Sequence, residues 1–143
     1  MLKRKSFTLV EILVVIVIIA ILAALALPGF SLTKERSLDR EAKANLRIIQ
    51  AAEKIYRMEV GYYYPPGATT VVISDINSNL KLGLPSNQVS WTYRFDNSVG
   101  GSEKATATRA VTGGRTWTIL FPPGSSDTPC CTPSSDCPAG SGC

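Results

Sequence analysis

The chain contains no histidine. That removes the commonest general base, the usual partner of a nucleophilic serine and the imidazole on which many metal sites rely. Its serines and carboxylates show no lysine-based catalytic constellation either, so enzymatic activity is the weakest functional class, and no cofactor or metal is expected. Charge is also scarce: 18% of the residues are charged, with a net charge of +4. The basic residues are spread along the chain without a dense aromatic-interleaved patch, which makes nucleic acid an unlikely partner. Glycine is missing from residues 7–27, and cysteine is missing before position 130.

The features that are present sit at the two ends. Residues 7–27 comprise 15 Phe, Leu, Ile or Val, four Ala, and only Thr8 and Glu11 as polar residues. As a helix, such a run spans about 30 Å, the hydrocarbon thickness of a bilayer. On an insertion scale its large apolar side chains contribute on the order of −6 kcal/mol, against about +3 or less for one carboxylate near the helix end. The expectation is a single membrane-spanning helix. Lys3, Arg4 and Lys5 precede it, and the excess of positive charge on that side keeps the N-terminus cytoplasmic. About 110 residues then remain for one modest core.

Two plainer readings compete. Ala24-Leu25-Ala26 has the small-x-small form of a signal-peptidase site, which would release a soluble secreted binding domain after Ala26. A signal's apolar core is usually about 7 to 15 residues, shorter than this run, and normally lacks a carboxylate. Thr8-Leu9-Val10-Glu11 fits a capping box, in which Glu11 would only satisfy the helix start. Capping accounts for a tolerated Glu11 but not for its position inside an apolar run.

The block Lys3-Arg4-Lys5-Ser6-Phe7-Thr8-Leu9-Val10-Glu11, followed by an apolar run to Leu27 and then Pro28, closely resembles the N-terminus of type IV prepilins and of the related type II secretion pseudopilins. The resemblance implies a leader at residues 1–6, cut between Ser6 and Phe7 by a prepilin peptidase, with N-methylation of Phe7. Ser6 stands where that family usually has glycine. It also implies that Glu11 faces the new amino terminus of a neighbouring subunit during assembly. A lone intramembrane carboxylate usually marks a partner, and a buried ion pair of this kind fixes register more than it adds stability. Pro28 lies where the family's helix bends, and proline kinks a helix by removing one backbone bond.

Beyond Pro28, Leu38, Ala42, Leu46, Ile49, Ala52, Tyr56 and Val60 recur at spacings of three and four, predicting an apolar stripe and helix to about residue 60. Asp39 with Lys43, and Glu53 with Arg57, read as i,i+4 pairs on the wet faces. The run Gly61-Tyr62-Tyr63-Tyr64-Pro65-Pro66-Gly67 ends that helix. Asp75 to Asn79 only faintly echoes a calcium loop, with Leu80 where glycine is needed. Trp91 to Asp96 alternates as a half-buried strand should. Residues 104–112 and 115–121 read as a hairpin around Gly113-Gly114, which sets Trp117, Ile119 and Phe121 opposite Ala110, Thr108 and Thr106. The predicted fold class is α+β: a long N-terminal helix on a small antiparallel sheet, as in type IV pilins.

Cys130, Cys131, Cys137 and Cys143 all fall in the last 14 residues. The predicted topology exports this tail, where cysteines pair as disulfides. A bond between neighbours is strained, so two connectivities remain open, and the spacing does not favour zinc. The domain reading is thus a leader at 1–6, an apolar assembly helix at 7–28, its amphipathic continuation at 29–60, and a head with a cysteine-rich tail at 61–143. The implied function is a structural subunit of a homo-oligomeric helical pilus-like filament, with a type II secretion pseudopilin as the alternative. The resemblance places the precursor in the inner membrane, its partners being the peptidase and the assembly machinery. After assembly it implies an extracellular pilus or a periplasmic pseudopilus.

Overall fold

The computed structural model describes residues 8–86, 89–97, 103–111 and 114–143, with the side chains of 25–29 left undescribed. Helix α1, Leu9–Val60, is followed by strand β1 (Thr69–Thr70), helix α2 (Ile73–Leu80), and strands β2 (Trp91–Asp96), β3 (Lys104–Arg109), β4 (Thr116–Leu120) and β5 (Cys130–Thr132). A 3-10 turn at Ser134–Asp136 follows. The chain divides into two compact units between Ser37 and Leu38. The first holds the N-terminal part of α1, and the second holds the rest.

In the first unit, α1 starts where Thr8 Oγ1 accepts the Glu11 backbone N–H at 3.2 Å, satisfying one of the donors a helix start leaves free. Every large apolar side chain described between residues 9 and 22 is exposed, from 46% at Val15 to 81% at Leu9.

In the second unit α1 ends at Gly61, whose φ of 96° suits only glycine and whose N–H bonds back to the Arg57 carbonyl at 2.8 Å. The helix buries Ala42, Leu46 and Ile49 as expected, but beside them lie Asp39, Gln50 and Glu53. The contact face is therefore rotated from the predicted stripe: Leu38, Ala52 and Tyr56 are only partly buried, and Val60 is exposed. Asp39 and Glu53, expected in water, turn inward because the head supplies them with partners. Asp39 Oδ1 accepts Arg115 Nε at 2.7 Å and Trp117 Nε1 at 3.0 Å. Glu53 Oε2 accepts the Tyr64 backbone N–H at 2.9 Å. Of their expected helical partners, Lys43 lies over the Trp117 ring at 4.1 Å and Arg57 donates to the Tyr63 hydroxyl at 2.9 Å.

The sheet is antiparallel in the order β1-β2-β3-β4-β5. Strands β2, β3 and β4 answer the predicted strand at Trp91 to Asp96 and the predicted hairpin. The two edge strands, of two and three residues, are too short to leave a periodic signal. Helix α2 was not predicted. It absorbs Asp75 to Asn79 into regular helix, so that stretch is not a cation-binding loop.

Strand β2 alternates with Trp91, Tyr93 and Phe95 inward. The β3–β4 register differs from the predicted one. Ala107 pairs with Trp117 and Ala105 with Ile119, while Thr106 and Thr108 pair with Thr118 and Thr116 on the outer face. The shift is odd in residues, so it exchanges the faces of β3. Arg109 N–H bonds to the Arg115 carbonyl at 3.0 Å, which makes the connection five residues instead of two. Gly113 lies outside the described residues. At Gly114 a Cβ would come within 2.7 Å of Arg109 Cβ, so the close approach of the chain requires glycine. Across β2 to β5 the outer face carries an aligned row, Thr92, Thr108, Thr116 and Thr132.

Candidate functional site

An apolar helix exposed on every side has no stable place in water; such helices are covered by a membrane or by other helices. Residues 9–22 of α1 have this character. Glu11 is the one charge among them, and its placement in the first turn agrees with an acidic residue at a helix N-terminus. The Thr8 cap is formed, so capping and any partner role of the Glu11 carboxylate coexist in one turn. Among the described residues no helix is long and apolar enough to cross a membrane. The predicted span, residues 7–27, starts before the first described residue, and the side chains of its last three positions fall outside the description. Ser6 and Phe7, the predicted processing site, also lie outside the described residues. Pro28 falls within the bounds of α1, and its side chain is among those not described.

A second exposed apolar surface lies on α1 within the second unit. Ile48, Ala51, Ile55 and Met58 recur at spacings of three and four and are all exposed. At 100° per residue they lie on the side of α1 opposite Ala42, Leu46 and Ile49. The helix thus has two apolar faces, one packed on the sheet and one open. Beside the open face, a groove of about 420 Å³ is lined by Ala52, Ile55 and Tyr56 of α1 and by Leu80 and Leu82.

The four cysteines form two disulfides, Cys130 with Cys143 and Cys131 with Cys137, and none is free. That settles the connectivity left open above and leaves no thiolate for zinc. The reason is the pleat of β5. Neighbours on a strand point to opposite faces, so Cys131 joins the core beside Trp117 while Cys130 faces outward. The last residues fold back on β5: Cys131 N–H donates to the Ser141 carbonyl at 2.7 Å and Cys143 N–H to the Cys131 carbonyl at 3.3 Å. The edge of the sheet is thereby occupied by the chain's own end.

The buried polar groups were the part missed by sequence reading. Asp39 lies three residues from Ala42, and Glu53 four from Ile49, so each shares a helix face with a core residue, yet their charge argued for solvent. Tyr93 was placed correctly, but not the Asn45 Nδ2 that donates to its hydroxyl at 2.9 Å. Burial pushes that phenol up to about 12, against the opposing effect of the Asn45 bond.

Residues 1–27 match the family of the prokaryotic N-terminal methylation motif. The chain is also similar to the type IV major pilin protein PilA of Myxococcus xanthus (strain DK1622), with 41% identity over 61 residues. In its N-terminal block the chain is thus similar to type IV pilins. The matched segment is 43% of this chain and only 28% of the Myxococcus pilin, so the match spans less than a third of that relative's length. No solved structure matches. The pilin-type arrangement of a long N-terminal helix on an antiparallel sheet is nonetheless the one observed here.

Proposed function

We propose that the chain is the structural subunit of a type IV pilus-like filament, made as a membrane-anchored precursor with a cytoplasmic N-terminus. The observation that carries this reading is the all-round exposure of the apolar side chains of residues 9–22 in a chain bearing the methylation motif. Such a surface is stable in the bilayer before assembly and against other copies of itself afterwards. Cleavage between Ser6 and Phe7 creates an α-amino group about one helical turn from Glu11. In a filament core each of these charges offsets the desolvation of the other, provided both are present. Pro28, within α1, removes one backbone hydrogen bond and is the position at which a kink is expected. The open face of Ile48, Ile55 and Met58 is a second apolar surface available to neighbouring subunits.

The test compares wild type, Glu11→Gln and Glu11→Ala for protein in the membrane fraction and for yield of purified filaments. Glu11→Ala should insert at least as well, by up to about 3 kcal/mol, and assemble poorly, with Glu11→Gln between. Normal filament yield from Glu11→Ala would leave the carboxylate a helix cap only. Mass spectrometry of assembled protein should find a methylated Phe7 terminus, and an intact Met1 terminus would overturn processing. Filaments confined to the periplasm would identify a pseudopilin instead.

A further inference from the structure

Glu53 is a carboxyl group with no exposed surface, in the middle of the interface between α1 and the tyrosine-rich turn at 61–67. Its two oxygens are treated unequally. Oε2 accepts the Tyr64 N–H at 2.9 Å, whereas Oε1 is buried without a hydrogen-bond partner among the described residues. The titratable and charged groups around it come from three elements. Tyr56 and Arg57 belong to α1, Tyr62, Tyr63 and Tyr64 to the turn, and Asp75 of α2 acts on the Tyr64 phenol. Arg57, four residues along α1, gives Nη1 to the Tyr63 hydroxyl at 2.9 Å and lies over that ring at 4.8 Å. A carboxylate here would be a buried charge balanced by one amide N–H, which is costly, while a neutral acid at the same place leaves one polar atom unsatisfied.

The turn itself ties several elements together. The Tyr63 hydroxyl donates to the Phe121 carbonyl at 2.8 Å, and its backbone carbonyl accepts Asn97 Nδ2 at 2.6 Å, just past the end of β2. Tyr62 and Tyr64 meet Tyr56 edge-on, with centroids 6.1 and 6.0 Å apart. We propose that Glu53 is a one-proton latch on this turn: the closed turn buries the carboxyl and keeps it neutral, and opening the turn to water releases the proton. Opening would unseat Tyr63 from Phe121 and Asn97 and separate the three phenol rings.

Burial raises the Glu53 carboxyl from 4.5 to about 8, with the Tyr64 N–H opposing the shift. The closed state therefore binds one proton that the open state has lost throughout the interval between those two values. Closure is strongest below pH 4.5, weakens about tenfold per pH unit up to about pH 8, and is independent of pH above that. Apart from the α-amino terminus, which titrates at about pH 8, the interval holds few other titrations. There is no histidine, ordinary carboxyls have ionised by about pH 5, and the Tyr56 and Tyr64 phenols are raised above 10 by burial.

The experiment is amide hydrogen exchange at Tyr64 in the full chain in detergent micelles, read as a protection factor from pH 5 to 9. Wild type should lose protection about 400-fold between pH 5 and 8 and then level off, while Glu53→Gln should give a flat profile. A flat wild-type profile, or the same slope in Glu53→Gln, overturns the proposal. The wild-type protein also allows a direct reading that no folding failure of the variant can obscure. Carbon-13 titration of the Glu53 carboxyl should have its midpoint near 8, and a midpoint near 4.5 would overturn the latch.

Discussion

The two parts of α1 invert the usual relation between polarity and exposure. Residues 9–22 are apolar and exposed, whereas the head-bearing part, from residue 38 on, buries Asp39, Gln50 and Glu53. The contrast shows that burial follows the availability of partners, with hydropathy second. Asp39 is buried because Arg115 and Trp117 bond to it, and Gln50 because its Nε2 donates to the Leu120 carbonyl at 2.7 Å. Among the described residues no large apolar side chain of 9–22 is buried, so burial of this part is deferred to whatever surrounds it.

Removing a partner in the head should break the contrast most sharply. Asp39→Ala strips the acceptor from a mostly buried guanidinium and an indole N–H together, and should cost about 3 to 5 kcal/mol in denaturant unfolding followed by tryptophan fluorescence. A loss below about 1 kcal/mol would mean that the carboxylate does not hold Arg115 in place. Next in size are the disulfides. Replacing Cys131 with Cys137, or Cys130 with Cys143, by alanine pairs should each cost about 2 to 3 kcal/mol on the chain-entropy view. The former should cost more than its shorter loop implies, because Cys131 also fills the core. Glu53→Gln should change the sign. Since the folded carboxyl is raised to about 8, wild type has lost most of its contribution by pH 7, so the variant should be more stable there, by up to about 2 kcal/mol. That gain should vanish as pH falls to 4.5, and thermal unfolding at the two pH values measures it. The smallest effect sharpens the comparison from the other end. Ile16→Ala should leave the unfolding of the head within about 0.5 kcal/mol of wild type while lowering filament yield. A large loss of head stability would show that residues 9–22 are already partnered in the monomer.

Legibility of the fold in the sequence varied with the strength of the local pattern. Strand β2 could be read residue for residue, because three aromatics alternate with polar residues. The β3–β4 register could not, because Gly113-Gly114 advertises a tight turn that the chain does not make. The parity of Ala105 and Ala107 against Thr106 and Thr108 was the better guide, since it distinguishes the inner from the outer face. The helix stripe was off by part of a turn because Asp39 and Glu53 were judged by their charge, and their partners come from positions 115 and 64. The cysteines could be narrowed to two pairings, and only the pleat of β5, a strand of three residues, distinguishes between them. The N-terminal block, which matches the methylation motif, was legible because its signal is local and needs no tertiary partner.

The threonine row on the outer face of the sheet separates what can vary from what cannot. Trp117, Ile119 and their neighbours are constrained by volume, since a change of one methylene in a packed interior has consequences throughout it. Thr92, Thr108, Thr116 and Thr132 are constrained only by preference for extended backbone and by their neighbours in the row. The period of two that divides the faces therefore makes them nearly independent in evolution. The outer face can drift under pressure from the surroundings, one substitution at a time, while the interior stays as it is.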